Sequence, residues 1–143
     1  MSISNMKFLS LLFGKQPTEA EILNAGLQLA MEFGENWLKP IQQRLFRRYN
    51  FLTKEELDKY NLICKTALED GVRFIHNTLT NIDARQQYIT ENELRLELAT
   101  FMRKKYGWIN NQGIDRVFNQ SSYHAWCEER QQRQKESAGY NIS

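Results

Sequence analysis

The side chains of this sequence that are best suited to nucleophilic or acid–base chemistry belong to two cysteines and two histidines. A catalytic cysteine needs a nearby cation or imidazole that lowers its pKa and stabilises the thiolate. Cys64 lies in an apolar stripe with helical spacing, which predicts a buried thiol with a raised pKa. Cys127 precedes Glu128 and Glu129, whose negative charges disfavour a thiolate. We therefore predict no catalytic residue at either cysteine.

Neither histidine belongs to a metal-binding pattern. In helical bundles, two metal ligands share one inward face when a glutamate stands three residues before a histidine. Arg73 occupies that position before His76, and Ser121 occupies it before His124. The sequence also lacks the H-E-x-x-H motif, paired C-x-x-C motifs and a glycine-rich phosphate loop. We predict no metal site and no cofactor.

Two short segments place basic side chains next to aromatic ones, a composition that suits phosphate contacts and stacking on bases. The first covers residues 44–51 and the second covers residues 103–108. Both fall at predicted helix C-termini, where cations also offset the negative end of the helix dipole. Nucleic-acid binding is therefore an alternative function and not the leading one. Its candidate contacts are Arg44, Arg47, Arg48, Arg103, Lys104 and Lys105.

Aromatic residues and a histidine in the last third of the chain support a second alternative, an enzyme whose site lies in a groove. The residues of this groove would be Trp108, Tyr123, His124 and Trp126. A deep pocket that holds titratable groups with perturbed pKa values would distinguish such an enzyme from a binding protein.

An apolar run near the N-terminus, residues 8–13, contains five apolar side chains in six positions. It is shorter than a signal-peptide core and far shorter than a membrane span, so we predict neither export nor a transmembrane segment. One stripe of a helix cannot bury five of six consecutive side chains, and association covers such a surface most simply. We predict that the run contacts a second chain and that the protein forms a homodimer; the alternative is a first helix that packs on its own bundle. The candidate partner contacts are Phe8, Leu9, Leu12 and Phe13.

Three capping boxes indicate where the helices that position these residues begin. Thr18, Thr53 and Thr90 are each followed three residues later by a glutamate and then at once by an aliphatic residue. In such a box the threonine oxygen accepts a hydrogen bond from the backbone N–H of the glutamate, and the carboxylate accepts one from the threonine N–H. Each box therefore predicts a helix start.

Apolar residues at three- and four-residue steps follow each box and predict amphipathic helices. Pro40 interrupts the first of them, so we predict a kink or break within residues 34–39 and then a second helix. The polar stretch 80–90 is predicted to connect the central helix to the next one. The predicted helices end near residues 34, 49, 78, 105 and 134.

These elements predict an all-α fold, a compact single-domain bundle of four to five helices over residues 1–143. Residues 1–17 form its apolar N-terminal segment, and residues 135–143 form a polar tail that is predicted to fray. The three boxes are 35 and 37 residues apart, which is close to the period of helical-hairpin repeats. A short repeat of this kind is the alternative fold.

The charge balance and the cysteine count limit the functional classes. Nineteen basic and 17 acidic side chains leave a net charge of +2, too small to indicate a nucleic-acid or membrane partner. Two cysteines are too few for a disulfide framework, which favours a cytoplasmic location. Because no catalytic or cofactor motif is found, the leading prediction is a non-catalytic protein–protein interaction or regulatory module.

Overall fold

The computed structural model describes residues 16–32, 36 and 39–140, without the side chains of residues 126–129, 132–133 and 139–140. Within these residues the chain forms five α-helices and no strand, which confirms the all-α prediction. The helices are α1 (Glu19–Ala30), α2 (Gln42–Arg48), α3 (Lys54–Ala84), α4 (Glu91–Lys105) and α5 (Asn111–Tyr140). None of these described helices has an apolar stretch long enough to cross a membrane. The predicted apolar contacts at residues 8–13 lie outside the described residues.

The chain divides into two compact units, which we call the N-terminal unit (Met1–Thr66) and the C-terminal unit (Ala67–Ser143). The boundary falls within α3, so this helix contributes its first part to one unit and its second part to the other. The single-domain organisation stays a prediction. The helices that follow the three capping boxes contain 12, 31 and 15 residues, and these unequal lengths argue against a short repeat.

The three capping boxes form the hydrogen bonds that the sequence predicts. In each box the backbone N–H of the glutamate donates to the threonine Oγ1 at 3.1 Å. In the second box the N–H of Thr53 also donates to the carboxylate of Glu56, again at 3.1 Å. These bonds satisfy backbone donors that have no partner within the helix, so the starts of α1, α3 and α4 are fixed locally.

The N-terminal unit depends on a close approach between α1 and the first part of α3. A Cβ atom added to Gly26 of α1 would lie 2.9 Å from Sγ of Cys64 and 3.1 Å from Cδ1 of Ile41. Any side chain at position 26 would therefore force its neighbours to move. The buried apolar side chains of this unit include Ile22, Leu23, Leu27, Ala30, Met31, Ile41, Leu45, Leu52, Leu57, Tyr60 and Cys64.

The C-terminal unit packs the second part of α3 with α4 and α5. A Cβ atom added to Gly71 would lie 2.6 Å from Cγ1 of Val117, so α5 sits even closer to this glycine than Cys64 does to Gly26. Arg95 joins α4 to α5, since it donates to the carboxylate of Asp115 at 3.0 Å. The buried apolar side chains of this unit include Ala67, Leu68, Ile75, Leu94, Leu98, Ala99, Met102, Ile109, Ile114, Val117 and Phe118.

The break around Pro40 is confirmed, but α1 ends at Ala30, about one turn before the predicted end. The larger difference is at α3, which continues six residues beyond the predicted end at Thr78. The hydroxyls of Thr78 and Thr80 donate to the carbonyl oxygens one turn earlier, each at 2.8 Å. These polar side chains are therefore satisfied inside the helix and do not end it.

Helix α3 closes with a turn that the sequence pattern does not signal. The N–H of Gln87 donates to the carbonyl of Ile82 at 3.0 Å, and the N–H of Gln86 donates to the carbonyl of Asp83 at 3.1 Å. This pair of bonds is a Schellman motif, in which the residue after the cap is left-handed and is usually glycine. Here that residue is Gln86, with a φ of 54°.

Helix α5 continues beyond its predicted end near residue 134, while fraying of the tail at residues 135–143 stays a prediction. The chain is helical through Tyr140, and residues 141–143 lie outside the described part of the chain. The prediction weighed the polarity of this stretch and neglected helix propensity. Lys135, Glu136 and Ala138 are all strong helix formers, so a polar and exposed helix can form here.

Candidate functional site

An apolar depression lies between the second part of α3 and α4, within the C-terminal unit. We call it the α3–α4 groove; it is open to solvent, has a volume of about 400 Å³ and is lined by Phe74, Leu96, Glu97, Thr100 and Phe101. The rings of Phe74 and Phe101 stack, with centroids 4.6 Å apart and planes inclined by 14°. This contact joins α3 to α4 at the groove.

The position of Leu96 explains why the groove is apolar. Leu94 and Leu98 are buried on the core side of α4. A helix turns by about 100° per residue, so a residue two positions from Leu94 points roughly to the opposite side. Leu96 accordingly keeps 68% of its surface exposed. Core packing does not account for a leucine at this place.

The α3–α4 groove is acidic at one end, while the ammonium of Lys105 lies 6.0 Å from the ring of Phe101. Glu97 lines the groove directly, and Glu93 lies one turn earlier on α4 and is also exposed. Residues four apart on a helix lie on the same side. A partner that places an apolar face in the groove would therefore meet two carboxylates at one end, which favours a basic flank on that partner.

A buried carboxylate, Asp70, forms a polar clamp at the other end of α4. It is 8% exposed, and its Oδ2 accepts a hydrogen bond from the hydroxyl of Tyr106. The ammonium of Lys105 lies 2.7 Å from the same Oδ2, and a guanidinium nitrogen of Arg73 lies 3.2 Å from Oδ1. Three donors thus surround one carboxylate and tie the end of α4 to α3.

The surroundings of Asp70 and Tyr106 shift their pKa values in opposite directions. Burial by itself would raise the pKa of Asp70, but the hydrogen bonds from Lys105 and Tyr106 and the charges of Lys105 and Arg73 lower it overall. Burial, followed by the hydrogen bond to Asp70 and its charge, raises the pKa of Tyr106. Asp70 is therefore ionised and Tyr106 protonated at neutral pH. A carboxylate with all its donors in place holds structure and is poorly suited to act as a base.

Arg44, a predicted nucleic-acid contact, is engaged inside the N-terminal unit. Its guanidinium donates to the carbonyl of Leu29 at 2.7 Å and to the carboxylate of Glu32 at 2.9 Å. It also donates to the carbonyls of Lys39 and Pro40, at 3.2 and 3.3 Å. Arg44 thus satisfies a carbonyl at the end of α1 and holds the segment that leads into α2.

The other predicted nucleic-acid contacts fall into two groups. Lys105 is bound to Asp70, and Arg103 donates to the side chain of Asn111 at the start of α5. Lys104 is exposed on α4, while Arg47 and Arg48 are exposed on α2 in the other unit. Half of the six predicted basic contacts are therefore held by groups of their own unit. Nucleic-acid binding stays an untested prediction.

The residues proposed for an enzymatic groove are spread along the chain. Trp108 is half-buried and meets the ring of Tyr106 edge to face, at 6.1 Å. Tyr123, which is 57% exposed, meets its neighbour His124 in the same way, at 6.0 Å. At a rise of about 1.5 Å per residue, the backbone of Tyr123 lies roughly 18 Å from the first residue of α5. The side chain of Trp126 is outside the described residues.

The structure confirms that Cys64 is buried, and its thiol is free. Its Sγ donates to the carbonyl of Leu23 at 3.3 Å, and burial raises its pKa to about 12. A protonated and inaccessible thiol is not a nucleophile. The side chain of Cys127 lies outside the described residues.

A second cavity, in the N-terminal unit, is too small for a cofactor. It has a volume of about 100 Å³ and lies beside Pro40, Asn61 and Lys65. The side-chain oxygen of Asn61 accepts from the N–H of Ile41 at 2.9 Å, so this amide holds the backbone before α2. Among the described residues, no three His, Cys, Asp or Glu side chains are grouped to bind a metal ion.

Sequence reasoning missed the two most informative residues of the C-terminal unit, Asp70 and Leu96. Each had a signal. Asp70 stands three residues after Ala67, at the edge of the apolar seam of α3, where a solvated carboxylate is unusual. Leu96 is two residues from Leu94, so both cannot face the same core.

Comparisons of the chain with protein-family models, curated proteins and solved structures give no match.

Proposed function

We propose that this protein is a non-catalytic interaction module that binds a protein partner through the α3–α4 groove. The observation that carries the proposal is Leu96, a leucine 68% exposed beside the stacked rings of Phe74 and Phe101. An apolar groove between two helices suits the apolar face of an amphipathic helix. Burial of exposed apolar surface would supply the affinity.

The groove favours a protein partner over nucleic acid. Glu97 lines it and Glu93 lies one turn away on α4, and both carboxylates repel phosphates. Among the basic residues, Arg44 and Lys105 already bind groups of their own units. A reducing, cytoplasmic location belongs to the proposal, because Cys64 is a free thiol on which the packing at Gly26 depends.

Site-specific crosslinking tests this function directly. A photoreactive benzoylphenylalanine at position 96 of the full-length chain should form a covalent adduct with a protein when the producing cells are irradiated. The matched control is the same group at position 62, because Leu62 is 64% exposed on the α3 helix but lies in the N-terminal unit.

The proposal requires adducts at position 96 that are absent at position 62 and that disappear when Glu97→Lys is added. An absence of adducts at position 96, or an identical set from both positions, would show that the groove is not a binding surface. Circular dichroism of each variant shows whether the helices are retained.

A further inference from the structure

Building on the proposed interaction function, we infer that the occupant of the α3–α4 groove is the apolar run, residues 8–13, of a second copy of this chain. Two copies would exchange their runs, so that each run binds the groove of the other copy. A two-fold arrangement of this kind is closed, because both copies use the same pair of surfaces.

The chemistry of the run matches the groove. The run supplies two phenylalanines and three leucines, and Lys7 precedes it directly. The groove supplies the exposed Leu96 and two aromatic rings, with Glu97 on its rim. Apolar contacts between run and groove, together with an ion pair between Lys7 and Glu97, would use all of these features at once. The pair also sets the direction of the run, since Lys7 must lie at the acidic end.

The groove is large enough for part of the run. A volume of about 400 Å³ corresponds to roughly 13 water molecules at about 30 Å³ each, which is room for two or three large side chains. The run has five apolar side chains in six positions, so no single surface can cover them all. The groove would cover two or three of these side chains, and the surface around the groove on the second copy would cover the others.

The area available is adequate for a dimer. Each buried aromatic side chain removes about 150–250 Å² from water. The four phenylalanines of two exchanged runs would thus bury roughly 600–1,000 Å² before the leucines are counted. A specific interface needs about 1,000 Å², so the leucines of the runs and the surface around each groove must supply the rest.

A charge swap in the full-length chain tests this inference. Sedimentation velocity at about 50 mM salt should show a concentration-dependent dimer of the wild-type protein. Lys7→Glu and Glu97→Lys should each weaken the dimer by about tenfold or more, because each places like charges together at both sites. The double variant Lys7→Glu with Glu97→Lys should restore the dimer. Glu136→Lys, at an exposed glutamate of α5, is the matched control and should leave it unchanged.

Two further variants keep the test decisive. Phe13→Asp and Leu96→Asp should each give a monomer with wild-type helix content, because neither position belongs to the described core. A wild-type chain that stays monomeric at concentrations up to about 1 mM has a dimer Kd weaker than about 1 mM, and this result would overturn the inference. So would a dimer that survives Phe13→Asp, or a double charge variant that stays as weak as the single ones.

Failure of this inference can be separated from failure of the proposed function. If the chain is a monomer while position 96 still crosslinks to another protein, the groove is a docking site for that protein and the exchanged run is wrong. If neither a dimer nor an adduct at position 96 is found, both ideas are wrong.

Discussion

The two units hold their helix ends with clamps of opposite charge. In the N-terminal unit the clamp is centred on a cation, the guanidinium of Arg44, which collects three carbonyl oxygens and the carboxylate of Glu32. In the C-terminal unit it is centred on an anion, the carboxylate of Asp70, which collects three donors. An arginine keeps its charge at any ordinary pH, whereas an aspartate can be protonated. The two basic segments of the sequence, residues 44–51 and 103–108, thus supply different parts: Arg44 is the centre of one clamp, and Lys105 is a donor to the centre of the other.

The two units also differ in how closely neighbouring side chains approach a glycine of a helix. The atom nearest to a Cβ at Gly71 belongs to Val117, whose branched side chain is fully buried and rigid. The atoms nearest to a Cβ at Gly26 are Sγ of Cys64 at 2.9 Å and Cδ1 of Ile41 at 3.1 Å, both farther than the 2.6 Å between a Cβ at Gly71 and Val117. The C-terminal unit is thus packed with less tolerance around its glycine.

The largest expected effect separates the core of the C-terminal unit from the cap of the N-terminal unit, both on α3. Leu68→Ala should lower the free energy of unfolding by about 2–5 kcal/mol, because Leu68 is fully buried and its loss leaves a cavity. Thr53→Ala should cost only about 1 kcal/mol through the lost cap. Denaturant midpoints measure both costs. A larger cost for Thr53→Ala than for Leu68→Ala would mean that the part of α3 around Leu68 is not a core element.

The glycines give the next largest contrast. Gly71→Ala should destabilise the protein by about 1–3 kcal/mol, because its Cβ overpacks against Val117. Gly26→Ala should change stability by less than about 1 kcal/mol, because the helix propensity gained offsets part of the clash. Thermal unfolding of the two variants under identical conditions measures the difference. Equal costs would contradict the closer approach of the neighbouring side chain at Gly71 than at Gly26.

The clamp at Asp70 predicts a pH dependence. Asp70→Asn should cost about 1–3 kcal/mol at pH 7, because it removes the charge that satisfies three donors. The pKa of Asp70 is lowered in the folded protein, so its stabilising effect is complete above the unfolded value of about 3.9 and is lost as the pH falls through the folded value. The gap between wild type and Asp70→Asn should therefore narrow below about pH 4.

Chemical denaturation at pH 7 and at pH 3 tests this dependence. Gly26→Ala is the control, because no ionisable group is changed, and its effect should be the same at both values. A gap for Asp70→Asn that is constant across this range would show that the ionised carboxylate contributes no stability.

The smallest expected effect has the opposite sign. Gln86→Gly should raise the free energy of unfolding by about 0.5–1 kcal/mol, because glycine adopts the left-handed conformation without strain. Gln87→Gly, one residue later, gains nothing of this kind and should be neutral or slightly destabilising. Matched urea titrations distinguish the two, and a loss of stability at position 86 would contradict the turn geometry.

Sequence reasoning succeeded where one short segment decides the structure. Thr18, Thr53 and Thr90 define helix starts through bonds to residues three positions away. The helical spacing around Cys64 was sufficient to predict its burial. These features depend on local hydrogen bonds or on the period of the helix, which a sequence displays directly.

Sequence reasoning failed where the role of a residue depends on partners that are distant in the chain. The role of Asp70 depends on Tyr106, 36 residues away, and on Lys105, so its own neighbourhood can indicate burial but cannot identify the donors. The groove at Leu96 requires Phe74 on a different helix. The sequence underestimates the length of α3 because polar residues such as Thr80 indicate a connection, although the hydroxyl of Thr80 bonds within the helix.

The sealed thiol of Cys64 makes the N-terminal unit its own reporter of breathing motions. Reagents cannot reach Sγ, and with a pKa of about 12 almost no thiolate forms while the helices stay together. Both protections vanish at the same moment, when α1 separates from α3 at Gly26. The rate at which a thiol reagent modifies this one residue, located by mass mapping, therefore measures how often the native protein opens there, with no substitution in the sequence.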